Sequence, residues 1–315
     1  MWPACLALLL LSACLTPNPP DVVPVGAREV SFESAGYRLT GTLSSPGGRP
    51  ARAGILIIPG SGPIDRDGVS RTAPPTPPVY RRWAEGLGGA GFAVLRYDKR
   101  FLSYPDVDIT TFDQEAQIVD AVAAVAFLRG APEVAGRKLF VIGHSEGGTL
   151  APVVAARVGS IAGLIIVNTV VFSVDELLVA QVEANPTIPR STVSEVRDLF
   201  VELKNGSFPP RGLLYGGGAS YWTQWIAYSS NAPTTLSQLP IPLLLVQCLS
   251  DATLPGATLG RNLDVLRTVA ARNANARLRE LRGHDHLGML PGEPEPSPEL
   301  MDTLIDWLLK ASTTR

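Results

Sequence analysis

Apolar residues fall along this chain in two rhythms. Short unbroken apolar runs occupy 53–58 (AGILII), 92–97 (FAVLRY), 138–142 (KLFVI), 161–168 (IAGLIIVN) and 241–247 (IPLLLVQ). Runs of this length without polar alternation predict strands buried on both faces. Between them lie stretches with apolar residues at i, i+3 and i+4, the mark of a helix with one buried side. These are 79–90, 111–129, a stretch from about 145 to 158, and 298–311. In 111–129 the pattern puts Phe112, Ala116, Val119, Val122, Ala123, Ala126 and Phe127 toward the core; in 298–311 it puts Leu300, Leu304, Trp307 and Leu308 there. Two β-like runs, 28–34 and 37–44, flank Gly36 and read as a lead-in hairpin, and 276–282 reads as a last, more polar strand. Strands alternating with helices predict an α/β fold with a mostly parallel central sheet, covered by helices on both faces.

The rhythm changes between 171 and 238. There 174–184, 192–205 and 219–229 read as helices, broken by Asn-Pro, Pro-Pro and Gly-Gly-Gly. We read 171–238 as a helical cap inserted between two parts of one core, 28–170 and 239–315. At the N-terminus, 5–13 (CLALLLLSA) is an apolar run too short to span a bilayer, which takes about 20 residues; it has the length of a signal-peptide core. Leu11-Ser12-Ala13-Cys14 resembles the lipobox of bacterial lipoproteins. That resemblance implies a signal peptide at 1–13 and lipidation of Cys14, with 14–27 a proline-rich tether. It also implies export to the bacterial cell envelope, anchored in a lipid bilayer on the periplasmic or surface side.

Composition narrows the classes further. Hydrophobic residues make up 45% and charged residues 18%, enough to bury a large core and to exclude wholesale disorder. Lys+Arg is 27 against Asp+Glu 29, so the basic excess usual in a nucleic-acid binder is missing. Of the three cysteines, Cys5 and Cys14 fall in the leader region. If Cys5 is cut away and Cys14 acylated, Cys248 is the only free thiol and no intrachain disulfide can form.

The strongest chemical signal is Gly143-His144-Ser145-Glu146-Gly147, which fits G-x-S-x-G with an apolar strand running in and a helix running out. A serine at so sharp a turn stands exposed at a helix N-terminus, and the glycines keep side chains from colliding across it. With the elbow, Ile57-Ile58-Pro59-Gly60-Ser61-Gly62-Pro63, Asp65-Arg66-Asp67-Gly68 and Arg96-Tyr97-Asp98-Lys99-Arg100 resemble esterase-like members of the α/β-hydrolase superfamily over about 28–315. Phe101 stands where the last of these stretches usually has glycine. The resemblance implies an α/β-hydrolase fold and a Ser-Asp-His triad. A serine nucleophile needs a base, and there are three histidines. His144 is adjacent to Ser145 and cannot easily reach it in line, which leaves His284 and His286. The family pattern, with an apolar residue after the histidine, selects His286. The family's acid loop resembles Cys248-Leu249-Ser250-Asp251-Ala252-Thr253-Leu254-Pro255 and makes Asp251 the acid, with Asp285 and Asp264 as fallbacks. It assigns the oxyanion-hole N–H groups to Glu146 and to Ser61, with Gly60 or Gly62 as alternates to Ser61; Pro59 has no N–H to offer.

The implied function is a serine hydrolase, a carboxylesterase cleaving small or medium acyl esters through an acyl-enzyme, with no cofactor and no metal. A histidine base predicts activity rising with pH through the ordinary imidazole range, about 6.5. An amidase, peptidase or acyltransferase on the same fold, or a binding lipoprotein without catalysis, are the alternatives. Asp65-x-Asp67-Gly68 begins like a calcium loop, but Val69 and Arg71 occupy the next ligand positions, so a turn with local Asp–Arg pairing is expected. Tyr221, Trp222, Trp225 and Tyr228 form an aromatic stripe at helical spacing, read as core packing or as the lining of an acyl or alcohol pocket. Cys248 reads as a small buried filler.

Overall fold

Eight strands build one twisted mixed sheet in the computed structural model, which describes residues 25–70 and 76–313. The strands are β1 Val25–Ser34, β2 Tyr37–Pro46, β3 Gly54–Ile58, β4 Ala93–Tyr97, β5 Leu139–His144, β6 Gly163–Val167, β7 Leu243–Cys248 and β8 Ala276–Leu281. Their order is β1-β2-β4-β3-β5-β6-β7-β8. β1 and β2 form the lead-in hairpin, β2 joins β4 antiparallel, and every pair from β4 to β8 is parallel. The helices are α1 Val79–Gly89, α2 Arg100–Ser103, α3 Gln114–Gly130, α4 Glu146–Val158, α5 Val174–Ala184, α6 Arg190–Asn205, α7 Ala219–Gln238, α8 Ala257–Arg272 and α9 Pro298–Thr313.

The unbroken apolar runs follow from cover on both faces. In β3, Leu56 and Ile58 enter the core cluster shared with α3 and α4, while Ile55 and Ile57 enter the one shared with α1 and α9. A third cluster joins α5, α6 and the first half of α7 through Leu177, Val196, Phe200, Trp222 and Trp225.

The structure departs from the apolar pattern in three helices. α3 buries Gln114, Gln117, Ile118, Asp120, Ala121, Ala124, Val125 and Leu128, a different face from the one its apolar residues mark. Three polar side chains lie on the true face because each has a buried partner, described below. α7 runs past 229 and through Pro233 to Gln238; Ala232 and Leu236 pack into the α3–α4 cluster and hold the helix where the proline gives up a backbone bond. α8, not among the expected helices, buries Leu263, Leu266 and Val269. Cys5, Cys14 and the stretch expected to be a signal peptide lie outside the described residues.

Candidate active site

Parallel strands deliver their C-terminal ends to one edge, and the chemistry-bearing residues follow directly from them. Ser145 follows β5 at φ 54° and ψ −122°, a backbone state costly for any residue with a side chain. The turn closes with Ser145 N–H donating to Val167 O at 2.9 Å and Gly148 N–H donating to Ser145 O at 3.0 Å. Its glycines are required by contact. A Cβ on Gly143 would lie 2.4 Å from Gly147 O, and one on Gly147 would lie 2.2 Å from Ile58 O.

The loop after β8 carries His286, and the loop after β7 carries Asp251. Asp251 Oδ2 lies 2.8 Å from His286 Nδ1. Thr253 donates to Asp251 Oδ1 through its hydroxyl at 2.6 Å and its backbone N–H at 2.9 Å. Burial pushes the Asp251 carboxyl up, but the hydrogen bond and charge of His286 and the bonds from Thr253 outweigh it, holding it below its ordinary value. Asp251 therefore stays a carboxylate that accepts Nδ1–H and leaves Nε2 free. The other candidates are engaged elsewhere. His284 is buried between Arg282 O and Ser297 Oγ. Asp285 accepts the N–H groups of Leu287 and Met289, and Asp264 is an exposed partner of Arg267.

Ser145 and His286 border one cavity of about 340 Å³ together with Gly60, Ser61 and Glu146. No hydrogen bond closes between the serine hydroxyl and His286; such bonds commonly tighten only when substrate binds. The loop after β3 crosses close above Ser145: a Cβ on Gly60 would come within 3.2 Å of Ser145 Cβ. Gly60 N–H is spent on Tyr80 Oη at 2.8 Å, which removes it as an oxyanion donor. The N–H groups of Ser61 and Glu146 have no acceptor among the described residues.

Several side chains around this cavity have partners that the sequence does not announce. His144 is fully buried, 2.9 Å from Tyr80 Oη through Nδ1 and 2.8 Å from His286 O through Nε2. Since Tyr80 Oη accepts from Gly60, its proton goes to Nδ1, and His144 carries its own on Nε2. One hydrogen-bond chain thus joins the β3 loop to the backbone of His286. Asn168, after β6, donates to His286 O at 2.8 Å and accepts Cys248 N–H at 2.7 Å. Beneath the β3 loop, Lys99 Nζ donates to Gly60 O at 2.6 Å and lies 3.2 Å from Glu146 Oε2. The other oxygen, Glu146 Oε1, accepts from Gln114, Gln117 and the Tyr221 hydroxyl. Glu146 thus brings α3, α7 and the end of β4 to one buried carboxylate. Asp120, the remaining polar residue on the buried face of α3, pairs with Arg100 and accepts the Ser34 hydroxyl.

Burial, helped by the nearby His286 charge, pushes His144 down to about 3 from its ordinary 6.5. Below pH 6.5 the unfolded chain takes up a proton at this residue that the folded protein refuses, so stability falls as pH falls. Lowering the pH from 6.5 to 5 should cost wild type about 2 kcal/mol more than a His144→Gln variant. Urea unfolding at both pH values measures this, and equal losses would refute it. Cys248 is buried, and burial pushes its thiol up to about 12, so it is a poor nucleophile. Asp65 Oδ1 accepts the N–H groups of Asp67 and Val69, closing a tight turn, and Asp67 pairs with Arg96.

A profile of the Alpha/beta hydrolase family matches residues 35–300. The chain belongs to this family. Within the Alpha/beta hydrolase family it is similar to Esterase EstD of Thermotoga maritima, 29% identical over 210 residues, which is 66% of this chain and 48% of that one. The chain thus spans about half the length of that curated relative. Among solved structures it resembles Est1E from Butyrivibrio proteoclasticus, with TM-score 0.59, 16% identity, and coverage of 91% of this chain and 99% of the other. It also resembles a dienelactone hydrolase from Anabaena variabilis, with TM-score 0.56, 20% identity and coverage of 91% and 98%. At these identities the structural likeness speaks for the fold alone.

Proposed function

We propose that this α/β hydrolase is a carboxylesterase working through Ser145, His286 and Asp251. The observation that carries the reading is the 2.8 Å hydrogen bond between His286 Nδ1 and Asp251, with His286 bordering the same cavity as a serine held in a strained turn. In the reaction, Ser145 Oγ attacks the ester carbonyl carbon while His286 Nε2 takes the hydroxyl proton. The Ser61 and Glu146 N–H groups stabilise the oxygen that becomes negative. The C–O bond to the alcohol breaks as His286 returns the proton to the departing oxygen. Water, deprotonated by the same imidazole, then cleaves the acyl-enzyme and frees Ser145. The name of its relative, Esterase EstD, supports an ester as the substrate class.

The test is hydrolysis of p-nitrophenyl esters from acetate to laurate by wild type and Ser145→Ala. Turnover by wild type and none by the variant is the expected result; folded wild type inert toward the whole series would sink the reading. For location, the Leu11-Ser12-Ala13-Cys14 stretch supports an envelope lipoprotein acylated at Cys14. Expressed in a bacterium, the protein should partition with membranes, and Cys14→Ser should release it; a soluble wild type would contradict this.

A further inference from the structure

Attack at Ser145 needs the Ser61 N–H and the His286 imidazole held at a fixed separation. Their loops follow β3 and β8, strands that are not neighbours in the sheet. Three hydrogen bonds bridge the gap. Gly60 N–H donates to Tyr80 Oη at 2.8 Å, Tyr80 Oη donates to His144 Nδ1 at 2.9 Å, and His144 Nε2 donates to His286 O at 2.8 Å. The two ends decide every proton between them. A backbone N–H can only donate and a carbonyl oxygen can only accept, so the tyrosine hydroxyl donates onward and His144 carries its proton on Nε2.

The chain is stiff and held again at each end. Tyr80 and His144 are buried, and the Trp83 ring packs edge-on against both, at 5.7 and 5.6 Å. At one end Lys99 Nζ binds Gly60 O at 2.6 Å. A planar trans peptide points its C=O and N–H opposite ways, so a lysine on Gly60 O turns the Ser61 N–H to the far side. At the other end Asn168 Nδ2 donates to His286 O at 2.8 Å. Tyr80 and His144 border the Ser145 cavity, but both of their protons are spent within the chain.

We propose that Tyr80 and His144 are positioning residues, whose hydrogen-bond chain sets the oxyanion loop and the base His286 at a fixed separation about Ser145. The inference rests on the esterase reading and goes beyond it. Two apolar rings would fill the same space. Donors and acceptors matched end to end between two loops are what a space-filling role leaves unexplained.

The experiment uses the full chain with p-nitrophenyl butyrate, and urea unfolding of each variant beside the kinetics. Tyr80→Phe removes one oxygen and keeps the ring. Its kcat should fall about 10², the effect of a small misplacement near the reacting atoms, with KM within a few-fold. His144→Asn keeps an acceptor for Tyr80 but is too short to donate to His286 O, and should lose about as much. The two changes together should cost no more than either alone, since either one cuts the chain. His144→Gln is long enough to donate to His286 O and should recover about tenfold over His144→Asn. Wild type carrying nitrogen-labelled histidine needs no variant for its readout. Its His144 signal, assigned by its loss in His144→Gln, should report the Nε2–H tautomer. Unchanged kcat in folded Tyr80→Phe, losses that multiply in the double variant, a His144→Gln no better than His144→Asn, or an Nδ1–H tautomer at His144 overturns this inference and leaves the esterase reading standing. Wild type inert toward every ester overturns both.

Discussion

Ser145→Ala and His286→Ala should each lower kcat toward a p-nitrophenyl ester by about 10⁶, and the double variant should lose no more than either alone. The serine hydroxyl is a poor nucleophile until a base takes its proton, and the imidazole has no other catalytic task in the first step. Removing either member therefore abolishes the same event, and the losses do not add. Asp251→Asn should cost about 10⁴, because its amide can present N–H toward His286 Nδ1 and favour the wrong tautomer. The Thr253 bonds and the depth of the Asp251 site should keep that variant folded and its KM within a few-fold. Steady-state kinetics on the four proteins measure all of this. Additive losses, or a fully active Asp251→Asn, would show that the three residues do not act as a unit.

Lys99→Met should lower kcat by about 10² with little change in KM, as loss of exact placement near the reacting atoms does. Lys99 does not border the cavity that holds Ser145, and its ammonium is bound by Gly60 O and Glu146. It holds Gly60 O from below while pairing with Glu146, and the residues whose N–H groups would serve the oxyanion are Ser61, next to Gly60, and Glu146 itself. On the proposed mechanism Lys99 would be a positioning residue that spans both sides of the oxyanion site. The side chains of the pair are 5% and 0% exposed, so removing the lysine strands a buried carboxylate, at a cost of about 3 kcal/mol or more. Adding Glu146→Gln removes that stranded charge and keeps an amide oxygen for Gln114, Gln117 and Tyr221. The double variant should recover part of the lost stability, read by urea unfolding, without recovering kcat. If turnover returns together with stability, the pair is merely structural.

The legible and illegible parts of this molecule differ by physical cause. The five continuous apolar runs betray strands buried on both sides, and the structure has a parallel strand at each. Ser145 was readable because its turn demands glycine at 143 and 147, a requirement that local sequence displays. The helix α3 misleads for the reverse reason. Its buried face carries Gln114, Gln117 and Asp120, whose partners Glu146 and Arg100 sit in other elements, so apolar periodicity points to the wrong side. The same holds for Tyr80, His144 and Lys99. Each is an ordinary residue type, and only the fold brings the tyrosine after a long loop, the elbow histidine and the end of β4 together around Gly60. Phe101 was visible as a departure from the family's glycine; its consequence, a wall of a separate cavity of about 650 Å³ packed on Phe112 at 5.1 Å, was not.

If Ser145 is an activated nucleophile, as proposed, a fluorophosphonate should find it. The full chain is treated with the probe, digested, and the modified peptide identified by mass. One adduct is expected, on Ser145, absent in Ser145→Ala and much slower to form in His286→Ala. No adduct on folded wild type, or an adduct on another serine that abolishes ester hydrolysis, would contradict it.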